Sequence, residues 1–384
     1  MSLKRFKSIG LKALLLGLIA QFSPIAAQAI ELPDLYQASV TVVDQTRDAR
    51  VKAQREVFAK VLVKVSGNSD VLKNPAVKTA VRRASQYLNQ FEFSRDSDNV
   101  PQIEASFDEG KVNRLLRQQS LPIWGKRRPS ILLWMAGEDQ QSGARGVISR
   151  ESNPQLLSQI EQLSKDRGLP IIFPLYDLED NKEVSASDVW GYFFAHINQY
   201  SLRYNSDAMV ISRFWHQPPT EDTEATPDVA PAVNDSADTI KDNNWHLQWR
   251  LYEKEELVEI KTISGELTKL MDTLVQTTAD RYAAAYAVDS KNLGADATRI
   301  VLTVRNVGQI ADLIHAEQLL TSFSAVSDVL LKSINNDVAE FEIVLLGELL
   351  DLMQGLDLEE RFQRIYDPLA DKNSDQLDQF RWTP

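Results

Sequence analysis

Cysteine is absent from all 384 residues of the chain. No disulfide can staple it, and no thiolate can ligate a metal or act as a nucleophile, so its fold has to be held by buried apolar surface alone. That constraint is severe for a chain that reads as exported. Lys4, Arg5, Lys7 and Lys12 form a cationic start, Ala13 to Phe22 an apolar run, and Ala27-Gln28-Ala29 a small-x-small cleavage signal. Lys12, Gln21 and Pro24 confine the run to about ten residues, half of what a spanning helix needs. Residues 1–29 are therefore expected to be a signal peptide cleaved after Ala29, delivering the rest to a periplasm.

Setting 29 leader residues aside leaves 355 of the 384, enough for two or three domains of about 100 to 150 residues. Four cations and no acid leave with the leader, which moves the formal net charge from −12 to −16. Such a field repels phosphate backbones, so nucleic acid is not an expected partner. The basic cluster Lys126-Arg127-Arg128 reads as a solvated linker between domains.

Residues 30–125 read as a small α+β domain. Tyr36, Ala38, Val40 and Val42 alternate as in a half-buried strand, and Val51, Phe58, Val61, Leu62 and Val65 line one face of a helix stopped by Gly67 and Asn68. After Pro75, Val77, Val81, Ala84 and Leu88 make a second stripe, followed by strands at 91–94 and 102–107 and a helix at 108–118.

Residues 129–289 read as a β-α-β-α-β layer. Ile131 to Met135 is an unbroken apolar run, as in a central strand buried on both faces. A helix stripe at Leu156, Leu157, Ile160 and Leu163 ends at Gly168, a second strand covers 169–175, a helix 187–200 and a third strand 207–216. Gln217 to Asn244 carries four prolines and seven acidic residues, and is expected to be a disordered acidic loop at the tip of a hairpin whose return strand is Trp245, Leu247, Trp249 and Leu251. A helix from 266 to 288 completes the layer.

Residues 297–384 read as a β-α-β-β-α two-layer domain, with Asn335-Asn336-Asp337 as a hairpin turn. Phe380 and Trp382 are expected to dock a polar tail back onto the body.

No nucleophile elbow, Walker loop, dinucleotide glycine fingerprint or zinc-protease helix occurs, so no catalytic residue and no cofactor is expected. His216 and His246 flank the acidic loop and would supply a metal site if they faced each other, whereas His196 reads as a buried structural histidine. Asp177 and Asp180 follow the second strand, where open α/β sheets place ligands. With Tyr176 and Trp190 they make the candidate ligand-binding residues, and as paired carboxylates they leave acid-base chemistry open. Seven tryptophans spread over every segment are expected as core or junction anchors, except that an edge-exposed Trp215 or Trp245 suits partner binding.

Val61 to Gly67, Leu121 to Gly125 with Arg128-Pro129, Arg167 to Pro170, Pro174 to Asp180, Asp188 to Gly191 and Arg203-Tyr204 together resemble an uncharacterised family of bacterial exported proteins, domain of unknown function family 2066. More loosely, the first segment looks like the amino-terminal domain of the flagellar assembly protein FlgT, and the second is similar in element order to the amino-terminal domain of TolB. These resemblances imply an envelope scaffold and supply no catalytic residues. The reading is thus a non-catalytic periplasmic adaptor or assembly factor that contacts envelope proteins. The alternatives are a small-molecule or glycan-binding protein and a carboxylate- or metal-dependent hydrolase.

Overall fold

The computed structural model describes residue 32 and residues 34–95, 99–217, 244–288, 298–365 and 379–383. The expected leader and all but the two ends of the expected acidic loop lie outside the described residues. Three sheets with separate apolar interiors form a multidomain α+β architecture.

The amino-terminal unit contains β1 (Gln37–Thr41), α1 (Arg47–Ser66), α2 (Pro75–Arg82), β2 (Leu88–Arg95), β3 (Pro101–Phe107) and α3 (Glu109–Gln118), with the antiparallel sheet ordered β1-β3-β2. Thr46 caps α1 by accepting the Ala49 amide at 3.3 Å, and Gly67 ends it at φ 72° with its N–H returned to Val63. Phe58, fully buried, stacks between Tyr87 and Phe107 at 4.8 and 4.7 Å. The second stripe is shorter than its spacing suggests: α2 stops at Arg82, and Leu88 already belongs to β2.

The central unit contains β4 (Ile131–Glu138), β5 (Arg145–Val147), α4 (Pro154–Arg167), β6 (Ile171–Ile172), α5 (Leu178–Glu183), α6 (Ala186–Gly191), α7 (Phe194–Ser201), β7 (Ala208–His216), β8 (Trp245–Glu253), β9 (Glu256–Gly265) and α8 (Leu267–Tyr286). Its sheet runs β5-β4-β7-β8-β9, with β6 also beside β4. β4 is parallel to β6 and β7, and β7, β8 and β9 form an antiparallel meander. As the apolar run of β4 requires, both faces are covered. Ile131, Leu133 and Met135 join a core with α4 and α8, and Leu132, Trp134 and Ala136 join one with α6 and α7.

Two expectations fail here, and one strand is not among those expected. The strand expected over 169–175 shrinks to Ile171–Ile172, since Pro170 and Pro174 remove a backbone donor on either side. The helix expected over 187–200 breaks at Tyr192, which takes a left-handed φ of 59° and separates α6 from α7. The sequence reading passes over β9 altogether, because its hairpin turns on Lys254 and Glu255, at φ 47° and 67°, without the glycine or asparagine that announces such a turn.

The carboxyl-terminal unit contains β10 (Arg299–Arg305), α9 (Ile310–Thr321), β11 (Val326–Asn335), β12 (Val338–Leu345), α10 (Leu349–Asp357), β13 (Phe362–Ile365) and β14 (Gln379–Trp382). The sheet order is β11-β12-β10-β14-β13, so the last segment docks back as expected, with Phe380 and Trp382 buried in the core.

The basic linker is solvated only at Lys126, whose side chain is 40% exposed beside Glu109; Arg127 and Arg128 are buried. Arg128 is 1% exposed, and its guanidinium lies 3.9 Å over the Trp124 ring. It donates to the carbonyls of Lys64, Trp124, Gly125, Arg167 and Gly168 at 2.7 to 3.0 Å, which matches all five of its N–H groups. Burial pulls its pKa down to about 9, so it remains a cation at neutral pH. Arg167 reinforces this junction through the Gly67 carbonyl at 2.8 Å and Asp280 at 2.6 Å. Arg127 reaches the other way, to Glu359 at 2.8 Å and Ser322 at 2.7 Å, with Phe323 under its plane at 4.4 Å.

Candidate functional site

α6 and α7 cover only part of their face of the central sheet. Across its outer strands the register aligns Ile211, Arg250 and Ile260 in one row, Arg213, Gln248 and Thr262 in the next, and Trp215, His246 and Ser264 in the third. Strand alternation places these rows on the same face as Leu132, Trp134 and Ile211, the face packed by α6 and α7. Arg145 of β5, opposite Glu138 in the register and bonded to it at 3.1 Å, continues this face.

Cations and rings alternate over this shelf. Arg145 lies 4.0 Å from the Trp190 ring, and Arg213 sits among Trp190, Tyr192 and Trp215 at 5.6, 4.9 and 5.7 Å. Arg250 lies 4.3 Å from Tyr192, and Trp215 stacks on His246 at 5.3 Å. The left-handed turn at Tyr192 swings its ring onto the sheet, where the hydroxyl donates to the Gln248 carbonyl at 3.0 Å. Burial, partly opposed by Arg213 and Arg250, pushes that hydroxyl up to about 12, so it stays protonated. Arg213 donates to the Trp190 carbonyl and to Gln248, both at 2.8 Å. Neither Arg213 nor Arg250 pairs with a carboxylate among the described residues, and the buried Nε of each lacks a hydrogen-bond partner there.

The shelf ends at the outer edge of β9. The other edge strands have shorter regular runs: β5 has three residues, β13 four and β1 five, β2 has six after its irregularity at Leu88/Gln90, and β11 is broken twice, at Val326/Asp328 and Leu331/Ser333. Bulges of that kind, with Lys332 in the second, obstruct further pairing. β9 has one irregularity, opposite Leu251/Tyr252, and then seven regular residues from Glu259 to Gly265. Ile260 on this run is 53% exposed, and Val258 beside it 36%. Among the described residues no strand pairs with the outer side of β9, which leaves alternate N–H and C=O groups directed outward.

The sequence-derived site residues separate into two constellations. Trp190 belongs to the shelf. Asp180, 1% exposed, instead accepts the Tyr176 amide at 2.9 Å, a hydrogen bond from the Tyr204 hydroxyl and an ion pair from Arg203 at 2.9 Å. Asp177 caps α5 and also takes Arg203 at 3.0 Å, whose hydrogen bond holds its carboxyl below the usual range. Both carboxylates are thus engaged in fixing the 175–180 turn, and their partners are not those of Trp190. His216 and His246 do not face each other. Register pairs His216 with Trp245 and His246 with Trp215, so the two imidazoles leave opposite faces of the hairpin. Among the described residues no group of three or more histidine or acidic side chains is placed to hold a metal ion. His196 bonds the Glu183 carbonyl as a structural histidine would, but its side chain is 41% exposed rather than buried. The shelf arginines and Gln248 escaped the sequence reading; the signal that could have found them is their i, i+2 spacing with Trp215 and His246 on facing strands.

No helix among the described residues is long and apolar enough to cross a membrane. Residues 29–125 match a family model described as a domain of unknown function (DUF8605). An uncharacterised family is therefore supported for the amino-terminal unit, but it is not family 2066, and the likeness to FlgT and TolB gains no support. Neither a curated protein nor a solved structure matches the chain.

Proposed function

We propose that this protein is a non-catalytic adaptor of the bacterial envelope, exported by its leader, which takes an extended segment of a partner protein as an added strand on β9. The observation that carries this reading is the seven-residue regular edge Glu259–Gly265 at the rim of a half-open sheet face. Main-chain hydrogen bonds along such an edge supply affinity, and side chains alternating over the shelf supply specificity. The leader pattern supports the periplasmic address, and the net charge of the mature chain argues against nucleic acid. The engagement of Asp177 and Asp180 in turn-fixing bonds favours binding over hydrolysis at that turn. A glycan platform is less well supported, since Trp190 and Trp215 meet at 61° instead of offering one flat surface.

The test is site-specific photo-crosslinking in intact envelopes. A photoreactive residue at Ile260 should trap one partner in fixed proportion, while the same residue at Lys332 on the interrupted edge of β11 traps none. Equal trapping at both positions, or none at Ile260, rejects the proposal.

A further inference from the structure

Resting on the strand-docking reading of β9, we infer that the docked segment is acidic: Arg250, a cation without a carboxylate partner among the described residues, is held for a carboxylate carried by the incoming strand. The argument starts from register. A strand laid along Glu259–Gly265 alternates its side chains between the two sheet faces, so every second one lies beside Ile260, Thr262 or Ser264. These three sit one strand outward from Arg250, Gln248 and His246. Adjacent strands are separated by about 4.8 Å, so an arginine on β8 and a glutamate on the added strand can meet above the single intervening strand.

Charge complementarity selects the occupant. The chain as a whole carries 54 acidic against 42 basic residues, yet this face gathers Arg145, Arg213 and Arg250 against aromatic rings. Elsewhere in the central unit arginines are answered by carboxylates, Arg203 by Asp177 and Asp180 and Arg281 by Glu253. Arg250 rests instead on the Tyr192 ring, and Arg213 on that ring, the Trp190 carbonyl and Gln248, with no carboxylate answering either among the described residues. Rings beneath an arginine restrict its rotamers, so less entropy is lost when a carboxylate binds. An acidic polysaccharide would answer the charge but not the edge, whose outward N–H and C=O groups are completed by a peptide backbone.

The experiment uses the mature chain and synthetic peptides of about eight residues, long enough to pair the regular edge. Glutamate alternates with valine in one peptide and lysine with valine in a second. The third is the glutamate peptide with alternate amides N-methylated. Tryptophan fluorescence, to which Trp190 and Trp215 on the shelf contribute, reports binding. The glutamate peptide should bind and weaken about tenfold or more between about 50 and 500 mM salt, and the lysine peptide should not bind. Arg250→Gln should lower the affinity of the glutamate peptide by at least about tenfold with the unfolding midpoint little changed. N-methylation should abolish binding. If the lysine peptide binds as well as the glutamate peptide, or Arg250→Gln binds normally, the acidic partner is wrong while strand docking stands. If the N-methylated peptide binds like its parent, or no peptide binds, strand docking fails and this inference fails with it.

Discussion

The arginines of the domain junctions and those of the shelf are the same residue type put to opposite uses. Arg128 is buried with all five donors matched by carbonyls, and Arg127 is buried against Glu359 and Ser322. Arg213 and Arg250 are half-buried, lean on rings, and keep a buried Nε without a partner among the described residues. A saturated arginine is a strut and has no capacity left for a ligand. An arginine oriented by rings and left without a carboxylate is preorganised for one.

Breaking the struts should have the largest effect. Arg128→Met leaves the carbonyls of Lys64, Arg167 and Gly168 without their donor, and should lower stability by about 3 to 5 kcal/mol in urea unfolding. A loss below about 1 kcal/mol would show that the junction does not depend on it.

Glu359→Gln should be milder, about 1 to 3 kcal/mol at neutral pH, because Ser322 and Phe323 still hold Arg127. Burial alone would raise the Glu359 carboxyl, but hydrogen bonds from Arg361 and Arg127 outweigh it and hold the pKa below the ordinary 4.5. With the folded pKa depressed, the stability it contributes is fully present above the unfolded value and is lost as pH falls through the folded one. The gap between the wild type and Glu359→Gln should therefore close progressively as pH falls below the ordinary 4.5, and a gap that widened on acidification would contradict the assignment.

The hairpin bearing the free edge should be improvable. Glu255 holds φ 67°, a conformation that suits glycine, so Glu255→Gly should raise stability by up to about 1 kcal/mol, less the bond from Asn198. The smallest stability effect belongs to the shelf. Arg250→Ala should change unfolding by under about 1 kcal/mol, the worth of its contact with Tyr192. A loss as large as that of Arg128→Met would make Arg250 a strut too and erase the contrast.

How much of this was legible depended on whether the deciding contacts are local. The burial of β4 on both faces could be read from five consecutive apolar residues, and the stop of α1 from Gly67. Trp190, Trp215 and His246 stood out by type, and the structure brings them onto one surface. The arginines between them did not, since their shared face is set by the β7-β8-β9 register, and β9 was hidden behind a turn made by Lys254 and Glu255. Arg127 and Arg128 look solvated by composition, because what buries them is contributed by residues as distant as Lys64, Gly168 and Glu359. The pairing expected of His216 and His246 failed for a related reason: positions adjacent in a hairpin register point to opposite faces.

The most direct test of the docking surface is amide hydrogen exchange of the mature chain with and without the glutamate peptide. Protection should rise at alternate amides of Glu259–Gly265, the ones directed outward, with β11 unchanged. Protection confined to other segments, or equal on β9 and β11, would contradict strand addition at β9.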